Sequence, residues 1–340
     1  MPRTDWRAVW LVVAAGVVSA FHLGKVAIAA APLQADLGLS LGMLGGLGAT
    51  FAVLGALGGV VAGSVVVRAG DQRMLVLGLV ATVIGSAMAV PTGSFVALVA
   101  SRVVEGLGFL LITVAGPTVL ARLVRAPDRN VAFALWSCFM PAGIALAMLI
   151  GPWFVDWRNL WVAATLAAAL IAVQVMWKVP HGSADAEVSR QPVRAAEVWR
   201  PAPLALAATF LLYSLMFFAL FSFLPVLLQQ RMQVGPGAVG LLAAAASAVN
   251  IVGNLAAGVL LRRVTREALG TAAAITMALC ALGIFLPLLG PETAFVLCLV
   301  FSAVGGLIPA SLLSSIPRVA STPAQAALAV GLVVLGSDLG

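Results

Sequence analysis

Long apolar runs separated by short polar segments make up almost the whole chain. Ten complete runs lie at about 8–32, 41–67, 74–90, 95–123, 130–154, 160–177, 202–228, 236–261, 268–289 and 293–316. An eleventh begins near residue 324 and continues to the last residue. About 20 apolar residues cross a hydrocarbon core of about 30 Å, and these runs lack the alternation of β-barrel strands. We therefore predict an all-α polytopic membrane protein with ten full spans and a truncated eleventh.

The composition agrees with this prediction and excludes a soluble globular protein. Hydrophobic residues make up 62% of the chain and charged residues 9%, and the mean hydropathy is +1.12. A soluble domain is about 25% charged. In a soluble protein the net charge of +7 would suggest nucleic-acid binding. Here we expect no nucleic-acid partner, and the lipid bilayer surrounds the chain.

The distribution of positive charge predicts the orientation of the spans. Fifteen of the 19 Lys and Arg residues lie on the same side as the N-terminus, in segments 1–7, 68–73, 122–129, 178–200 and 262–266 and at position 318. Cytoplasmic loops are enriched in Lys and Arg, so we expect the N-terminus and the long polar segment 178–200 to lie in the cytoplasm. A cleaved signal peptide is the alternative for the first run, but that run is too long.

An internal repeat divides the predicted spans into two pseudo-symmetric halves. Gly63 and Arg68 are echoed by Gly258 and Arg263, 195 residues later. A parallel repeat of six spans is typical of one large class of secondary transporters. We predict an N-terminal six-helix half, a cytoplasmic linker and an incomplete C-terminal half, at 1–178, 179–200 and 201–340.

Two ionisable residues, Arg102 and Glu105, lie inside the fourth run. A charged side chain in the hydrocarbon core costs at least ~2.5–3.5 kcal/mol, so it normally faces the bundle interior or a wet cavity. One interpretation is a structural ion pair at i, i+3. The other, which we favour, places both residues on a substrate or proton pathway.

The first run carries His22 and Lys25, also at i, i+3 on one helical face. Lys25 can snorkel toward the interface or point into the bundle as a cationic site. We assign both residues to the same pathway, together with Asp338 in the eleventh run. Two cations, Lys25 and Arg102, and two acids, Glu105 and Asp338, can host a small organic anion while an acid or His22 exchanges a proton.

Uncharged residues supply further candidates. Asn250 and Asn254 lie one turn apart in the eighth run, where they can bind substrate or hold helices together. Four others are interpreted as packing residues, with a place on a cavity wall as the alternative: Trp136, Met140, Gln174 and Tyr213.

The sequence lacks the residue patterns that catalytic and metal-binding sites require. The chain has only two His, and its three Cys, at positions 138, 280 and 298, all lie in apolar runs. The sequence contains no HExxH, no zinc-type Cys spacing, no believable Ser-His-Asp set and no phosphate-binding G-x-x-x-x-G-K-[ST] loop. We therefore expect no enzyme activity, no metal site and no cofactor.

The loop between the second and third spans resembles the G-x-x-x-D-R-x-G-R-R/K loop of the major facilitator superfamily. Gly63, Arg68, Gly70 and Arg73 match, and Val67 stands in place of the aspartate. In the family this loop holds the cytoplasmic gate closed through contacts between charged residues. The resemblance therefore implies a gate loop at the four matching residues.

The fourth and fifth spans extend the resemblance. Arg102, Gly106 and Gly108 match R-x-x-x-G-x-G of the family's fourth span, whose arginine lies near the proton or substrate pathway in proton-coupled members. The fifth span matches the antiporter signature only in part. Proline and glycine within it predict helix hinges, at Pro141, Gly143, Gly151 and Pro152.

The resemblance implies a secondary active transporter, whose fold consists of two six-helix halves. It would move a small solute, either an organic anion or a drug-like compound, across the bacterial inner membrane. Transport would proceed by alternating access with proton coupling, and the protein would act as a monomer. Its branch is similar to cyanate permeases or drug exporters. Because the family has twelve spans, about 40–60 further residues are expected after residue 340. The alternative is a transport-inactive or sensor-like membrane protein with a degenerate gate loop.

Overall fold

The computed structural model describes residues 4–181, 201–232, 236–286, 290–320 and 323–339. All regular elements in these ranges are helical. Most of the predicted linker, residues 182–200, lies outside the described residues.

The described helices follow the predicted runs closely. In the first half they are α1 Trp6–Ile28, α2 Ala30–Leu37, α3 Leu41–Ala69, α4 Asp71–Ala89, α5 Phe95–Leu123, α6 Arg129–Ser137, α7 Phe139–Ile150 and α8 Trp157–Lys178. In the second half they are α9 Pro201–Met232, α10 Pro236–Leu260, α11 Arg266–Phe285, α12 Pro291–Gly305, α13 Leu307–Leu313, α14 Ile316–Val319 and α15 Pro323–Leu339. Short 3-10 segments, Ala126–Asp128 and Gly151–Trp153, precede α6 and α8.

Nine helical segments of the described chain are long and apolar enough to cross a membrane. They correspond to nine of the predicted runs. The other two runs fall on α9 and α15, in which shorter apolar stretches lie at Pro201–Phe217 and Gln325–Gly336. The prediction of an all-α, multi-pass membrane bundle is confirmed.

Capping side chains and one glycine fix where the helices begin. Asp5, Ser40, Ser94 and Thr265 each precede a helix and accept a hydrogen bond from a backbone N–H of its first turn. Such caps satisfy amides that a helix leaves unpaired and contribute about 1 kcal/mol each. Gly70 joins α3 to α4 with a φ of 95°, which favours glycine. The polar residues between apolar runs therefore serve as N-caps of the helices that follow them.

Two predicted spans are interrupted helices. The fifth consists of α6 and α7, which meet at Cys138, and the tenth consists of α12 and α13, which meet at Gly306. A proline follows each break by three residues, at Pro141 and Pro309. Proline has no N–H to donate to the preceding turn, so each break lies where the helical hydrogen-bond ladder is already incomplete.

Hydrogen bonds between loops group the connections at two ends of the bundle. At the end where α1 begins and α3, α5 and α10 finish, Arg122 pairs with both carboxylate oxygens of Asp71, at 2.9 and 3.1 Å. We call this the basic end. At the opposite end, Asp36 accepts hydrogen bonds from Arg158 at 2.6 Å and from the Trp157 indole at 3.0 Å. These bonds join loops that are far apart in the sequence.

The two halves contact each other through small residues between the middle of the bundle and the basic end. Gly59 and Gly63 of α3 pack against the backbone of α15 at Gly331 and Ala327, and Gly258 of α10 packs against α6. Glycine lets helix backbones approach closely in a membrane, where apolar side chains gain little by leaving lipid. Backbone contact at the glycines therefore joins the halves at these points, and apolar side chains such as Val60, Leu328 and Leu332 pack beside it.

Candidate functional site

Glu105 is the centre of a group of four ionisable side chains in the N-terminal half. Its Oε1 lies 2.6 Å from Lys25 Nζ and 3.3 Å from His22 Nδ1. Its Oε2 accepts a hydrogen bond from Arg102 Nη1. All four side chains are 0% exposed. We call His22, Lys25, Arg102 and Glu105 the charged cluster, and in it Lys25 points into the bundle.

Helices α1 and α5 each contribute two members of the charged cluster, one helical turn apart. The cluster therefore lies between these two helices. Helix α4 packs closely on α5 where Gly78 faces Gly108; a Cβ on Gly108 would lie 2.5 Å from the Gly78 carbonyl oxygen. This approach brings Ser86 of α4 to the cluster. Lys25 Nζ donates a hydrogen bond to Ser86 Oγ at 2.9 Å.

Helix α8 closes the cluster on another side. Lys25 Nζ lies 4.4 Å from the ring centroid of Trp161, and Ser86 Oγ donates to the Trp161 carbonyl at 3.3 Å. A desolvated cation over an aromatic face gains about 2 kcal/mol. His22 Nε2 lies 3.2 Å from the carbonyl oxygen of Ala164. These contacts offset part of the cost of burying the charges.

The partners of His22 determine where its proton lies. The Ala164 carbonyl can only accept, so Nε2 carries the hydrogen and donates it. Lys25 Nζ, 2.9 Å from Nδ1, donates to that nitrogen while it is unprotonated. If Nδ1 gains a proton it becomes a donor, and Glu105 Oε1 is the acceptor within reach. Nδ1 of His22 therefore has a hydrogen-bond partner in both protonation states: Lys25 when His22 is neutral, and Glu105 when it is protonated.

Arg102 connects the charged cluster to aromatic residues near the middle of the bundle. Its Nη1 donates to the His22 carbonyl at 2.9 Å, and its guanidinium carbon lies 4.1 Å from the Phe51 ring centroid. Phe51 packs on Phe109, with centroids 5.3 Å apart. Arg102 Nε and Nη2 are buried without a hydrogen-bond partner in the described structure. Unpaired buried donors are costly, which favours an arrangement in which Arg102 finds another acceptor.

A cavity of about 130 Å³ lies between the two halves. Phe109 and Trp136 form part of its wall from the N-terminal half, and Phe210 and Tyr213 from the C-terminal half. Hydroxyl and amide groups also line it, at Thr113, Ser137, Ser214, Ser247 and Asn250. None of the described lining residues is charged. The members of the charged cluster lie outside the wall, and Phe109 is the point at which the aromatic contacts from Arg102 reach it.

The C-terminal half contains a buried group of uncharged polar residues. Asn250 Nδ2 donates to the Ser302 carbonyl at 3.0 Å and lies 3.5 Å from the Tyr213 hydroxyl. Asn254 Nδ2 donates to Asn250 Oδ1 at 2.8 Å. We call these four residues the amide cluster. It joins α9, α10 and α12, and Asn250 and Tyr213 also face the cavity.

The remaining candidate residues are distributed around these two clusters. Trp136 and Met140 line the cavity, whereas Gln174 lies on α8 away from the described wall. Asn254 lies behind Asn250, outside the described wall. Asp338 is in α15, but its side chain lies outside the described residues.

The residues of the predicted gate loop lie at and just before the junction of α3 and α4. Gly63 packs against α15, Gly70 forms the turn, and Arg68 and Arg73 are exposed. The acid of this loop, Asp71, pairs with Arg122 at the end of α5, and Arg122 Nη2 also donates to the Pro180 carbonyl at 3.0 Å. Helices α4, α5 and α8 are thereby joined at the basic end.

The predicted hinge residues occupy different surroundings. Pro141 lines the cavity just after the break at Cys138. Gly143 packs against α1, where a Cβ would meet the backbone, and Gly151 packs against the side chain of Ile28. Pro152 is exposed. The helix break itself therefore precedes all four predicted positions.

The sequence reasoning missed several residues that contact the charged cluster or connect it to the cavity wall. Phe51, Ser86, Phe109 and Trp161 are uncharged residues on separate helices, and nothing in their spacing connects them. Ser86 is a hydroxyl within an apolar run, which is a weak signal for a polar partner. The aromatic residues gave no signal that distinguishes them from packing residues.

Solved structures that share this fold include two transporters. One is the proton:xylose symporter XylE with bound 6-bromo-6-deoxy-D-glucose, 14% identical, with a TM-score of 0.85 over 99% of this chain and 86% of that chain. The other is the human organic anion transporter MFSD10 (TETRAN), 18% identical, with a TM-score of 0.77 over 100% and 91%. No curated protein matched the chain. At these identities the two structures establish the fold alone.

The sequence model of one protein family supplies the assignment. The model described as Major Facilitator Superfamily matches residues 8–340. The match covers both halves of the bundle, the charged cluster, the amide cluster and the cavity between them. The chain therefore belongs to the major facilitator superfamily and is a secondary transporter rather than an enzyme.

Proposed function

We propose that this transporter couples proton movement through the charged cluster to the alternating access of a solute in the cavity. The observation that carries the proposal is a set of four ionisable side chains, all 0% exposed and in contact with one another within one half. Buried charges are costly in a membrane and mark ion or substrate pathways. We place the chain in a bacterial inner membrane with its basic end in the cytoplasm, following the positive-inside rule.

The proton-binding step uses His22 and Glu105. While His22 is neutral, its Nδ1 accepts a hydrogen bond from Lys25. A proton that reaches Nδ1 makes it a donor toward Glu105 Oε1 and removes the acceptor that Lys25 used. Lys25 then has to move, and the shared carboxylate has to redistribute its hydrogen bonds.

This rearrangement has a route to the solute cavity. Arg102 is bonded both to Glu105 and to the backbone carbonyl of His22, so it responds to a change in either residue. Its guanidinium stacks on Phe51, which packs on Phe109 of the cavity wall. A different position of Arg102 therefore alters the aromatic side of the cavity.

Alternating access requires the halves to separate at one end and to approach at the other. The contacts of Gly59 and Gly63 with α15 hold the halves together near the basic end. Beside these glycines, Val60 of α3 packs against Leu328 and Leu332 of α15, so these side chains have to part when the basic end opens. We assign the described arrangement to the state that is closed on the cytoplasmic side.

The solute of this transporter is uncharged or weakly polar and contains an apolar ring or chain. A charged solute would lose its hydration in a cavity whose described wall provides no counter-charge. Lys25 and Arg102, the cations expected to hold an organic anion, are both engaged by Glu105 and lie away from the wall. Of the two solute classes expected from the sequence, the drug-like class fits the cavity better.

Proteoliposomes that contain the full-length protein and a pH-sensitive dye test this proposal. Uncharged aromatic compounds, small carboxylates and lipophilic cations are added separately under an imposed pH gradient. We expect uncharged compounds to evoke proton flux. His22→Gln should abolish this flux, whereas His181→Gln, the same change at an exposed position after α8, should retain it.

Each alternative result has a defined meaning. Solute uptake independent of the pH gradient, or normal proton flux in His22→Gln, would contradict coupling through the charged cluster. Flux evoked by carboxylates alone would contradict the proposed solute class. Solute binding without flux of any kind would favour the sensor-like alternative.

A further inference from the structure

A second, larger cavity opens on the side of the C-terminal half. It is a groove of about 600 Å³ between α9, α11 and α13. The groove extends from Arg266, at the basic end, to Tyr213 and Met277 near the middle of the bundle. Tyr213 also lines the central cavity, so its ring lies between the groove and that cavity.

The length of the groove corresponds to one leaflet of a bilayer. Arg266 and Met277 are eleven residues apart on α11. At 1.5 Å per residue this separation is about 16 Å. A hydrocarbon core is about 30 Å thick, so the groove crosses roughly half of it. An extended acyl chain that enters from the basic end would reach Met277.

The walls of the groove change character along its length. Toward the middle they are apolar, with Leu212, Leu215 and Met216 from α9. Leu212 and Leu215 are 61% and 47% exposed, so this part is open to the surroundings of the bundle. Toward the basic end the groove is lined by Arg266, Glu267 and Ser315. The groove therefore has a polar end at the basic end of the bundle and an apolar part toward the middle, which matches the headgroup and acyl chains of a lipid in that leaflet.

The charge at the basic end of the groove is positive. Arg266 belongs to a group in which Arg262, Arg263 and Arg318 add positive charge and Glu267 is the acid. No carboxylate forms an ion pair with Arg266 within the part of the chain that the structure describes. The group thus lacks enough acid to balance its four guanidinium groups.

Arg266 also bridges the two halves of the bundle. Its Nη2 donates to Asn130 Oδ1 of α6 at 3.0 Å, and its Nε donates to Ser314 Oγ at 3.4 Å. A guanidinium has five N–H donors in a fixed planar fork. Further donors, including both on Nη1, are therefore available to a phosphate without loss of the bond to Asn130.

We propose that this groove binds one anionic phospholipid, with its headgroup phosphate on Arg266 and an acyl chain along α9 and α11. The bound lipid fixes the Arg266 side chain and thereby stabilises its contact with Asn130 across the halves. Lipid occupancy favours the arrangement that is closed at the basic end. The site is independent of the solute and of proton coupling in the charged cluster.

Lipid retention by the purified full-length protein tests the proposal. The protein is incubated with phosphatidylglycerol, phosphatidylcholine or water-soluble glycerophosphate, and the bound ligand is counted by native mass spectrometry. We expect one tightly retained phosphatidylglycerol. Arg266→Gln should weaken its retention about fivefold, the factor that one cation near an anionic headgroup contributes. Arg263→Gln is the matched control, because it removes the same charge from an exposed position outside the described groove wall.

A second variant separates the acyl-chain contact from the charge. Ala274 is an exposed residue on the wall of the groove. Ala274→Trp should fill this part of the groove and reduce lipid retention while leaving the positive charge unchanged. Equal losses in Arg266→Gln and Arg263→Gln would show general attraction to a basic surface and overturn the site. Equal binding of phosphatidylcholine, or full retention in Ala274→Trp, would also overturn it, and binding of glycerophosphate alone would identify a phosphate site without a lipid.

Discussion

The two halves of the bundle share a helical design but bury different polar groups. The N-terminal half buries the charged cluster, whereas the described part of the C-terminal half buries the amide cluster. Amide groups keep the same charge over the accessible pH range, but carboxylate and imidazole groups can exchange protons. Only the first cluster can therefore respond directly to a proton gradient. Both halves nevertheless contribute to the cavity wall.

The two clusters also differ in what a substitution costs. Removal of one partner from a buried ion pair leaves an uncompensated charge and costs about 3–5 kcal/mol. Loss of an uncharged hydrogen bond costs about 0.5–1.5 kcal/mol. Variants of the charged cluster should therefore have larger effects on stability than variants of the amide cluster. The following predictions test this difference.

The largest effect is expected for Glu105→Gln. This change leaves Lys25 and Arg102 buried without their shared acid, so the free energy of unfolding should fall by about 3–5 kcal/mol and coupled transport should be lost. Lys25→Met retains the Arg102–Glu105 pair, so it should abolish proton coupling with less than half of that stability loss. Denaturation in detergent and flux in proteoliposomes provide the measurements. Equal stability of the two variants would show that Glu105 does not hold the cluster together.

A smaller effect is expected where the two halves meet. Gly59→Val introduces a side chain against the backbone of α15, and overpacking costs about 1–3 kcal/mol, so solute flux should fall about tenfold. Gly46→Val is the control on the same helix, because nothing lies within 4 Å of a Cβ at that position. The initial rate of solute flux at saturating solute is measured for both variants. Equal losses would indicate a general effect on α3 rather than obstruction between the halves.

The amide cluster should affect solute affinity without affecting proton coupling. Asn250→Ala removes a cavity-facing amide, so the apparent affinity should fall about two- to tenfold while the dependence of flux on the pH gradient is unchanged. Asn254→Ala changes the same residue type outside the described cavity wall and should lower stability without this loss of affinity. Solute titrations at two external pH values distinguish the effects. A changed pH profile in Asn250→Ala would extend the proton pathway into the C-terminal half.

The smallest effect is expected at the end opposite the basic end. The Trp157 indole, and then Arg158, lower the pKa of Asp36 below its usual 3.8. A lowered pKa means that the stabilisation is present above 3.8 and is lost as the pH falls through the lower, folded-state value. Asp36→Asn should therefore slightly lower the melting temperature at pH 7, and the difference from wild type should shrink below pH 3.8. A difference that stays constant across this range would show that the carboxylate charge contributes nothing.

Much of the architecture followed from the sequence because each span carries its own signal. The apolar runs predicted the helices, and the cost of a charge in hydrocarbon predicted that Lys25 and Arg102 point inward. The i, i+3 spacing paired His22 with Lys25 and Arg102 with Glu105 on their own helices. These features depend only on local periodicity and on the solvation of single residues.

The tertiary structure decided which of these helices are neighbours. It brought Lys25 to Glu105 across 80 residues and Asp71 to Arg122 across 51, and it separated the charged cluster from an uncharged cavity wall. Lipid solvates the apolar surface of every span in much the same way, so hydropathy does not rank one neighbour above another. The close approach of small residues and the few buried polar bonds make that choice, and both depend on residues that are far apart in the chain.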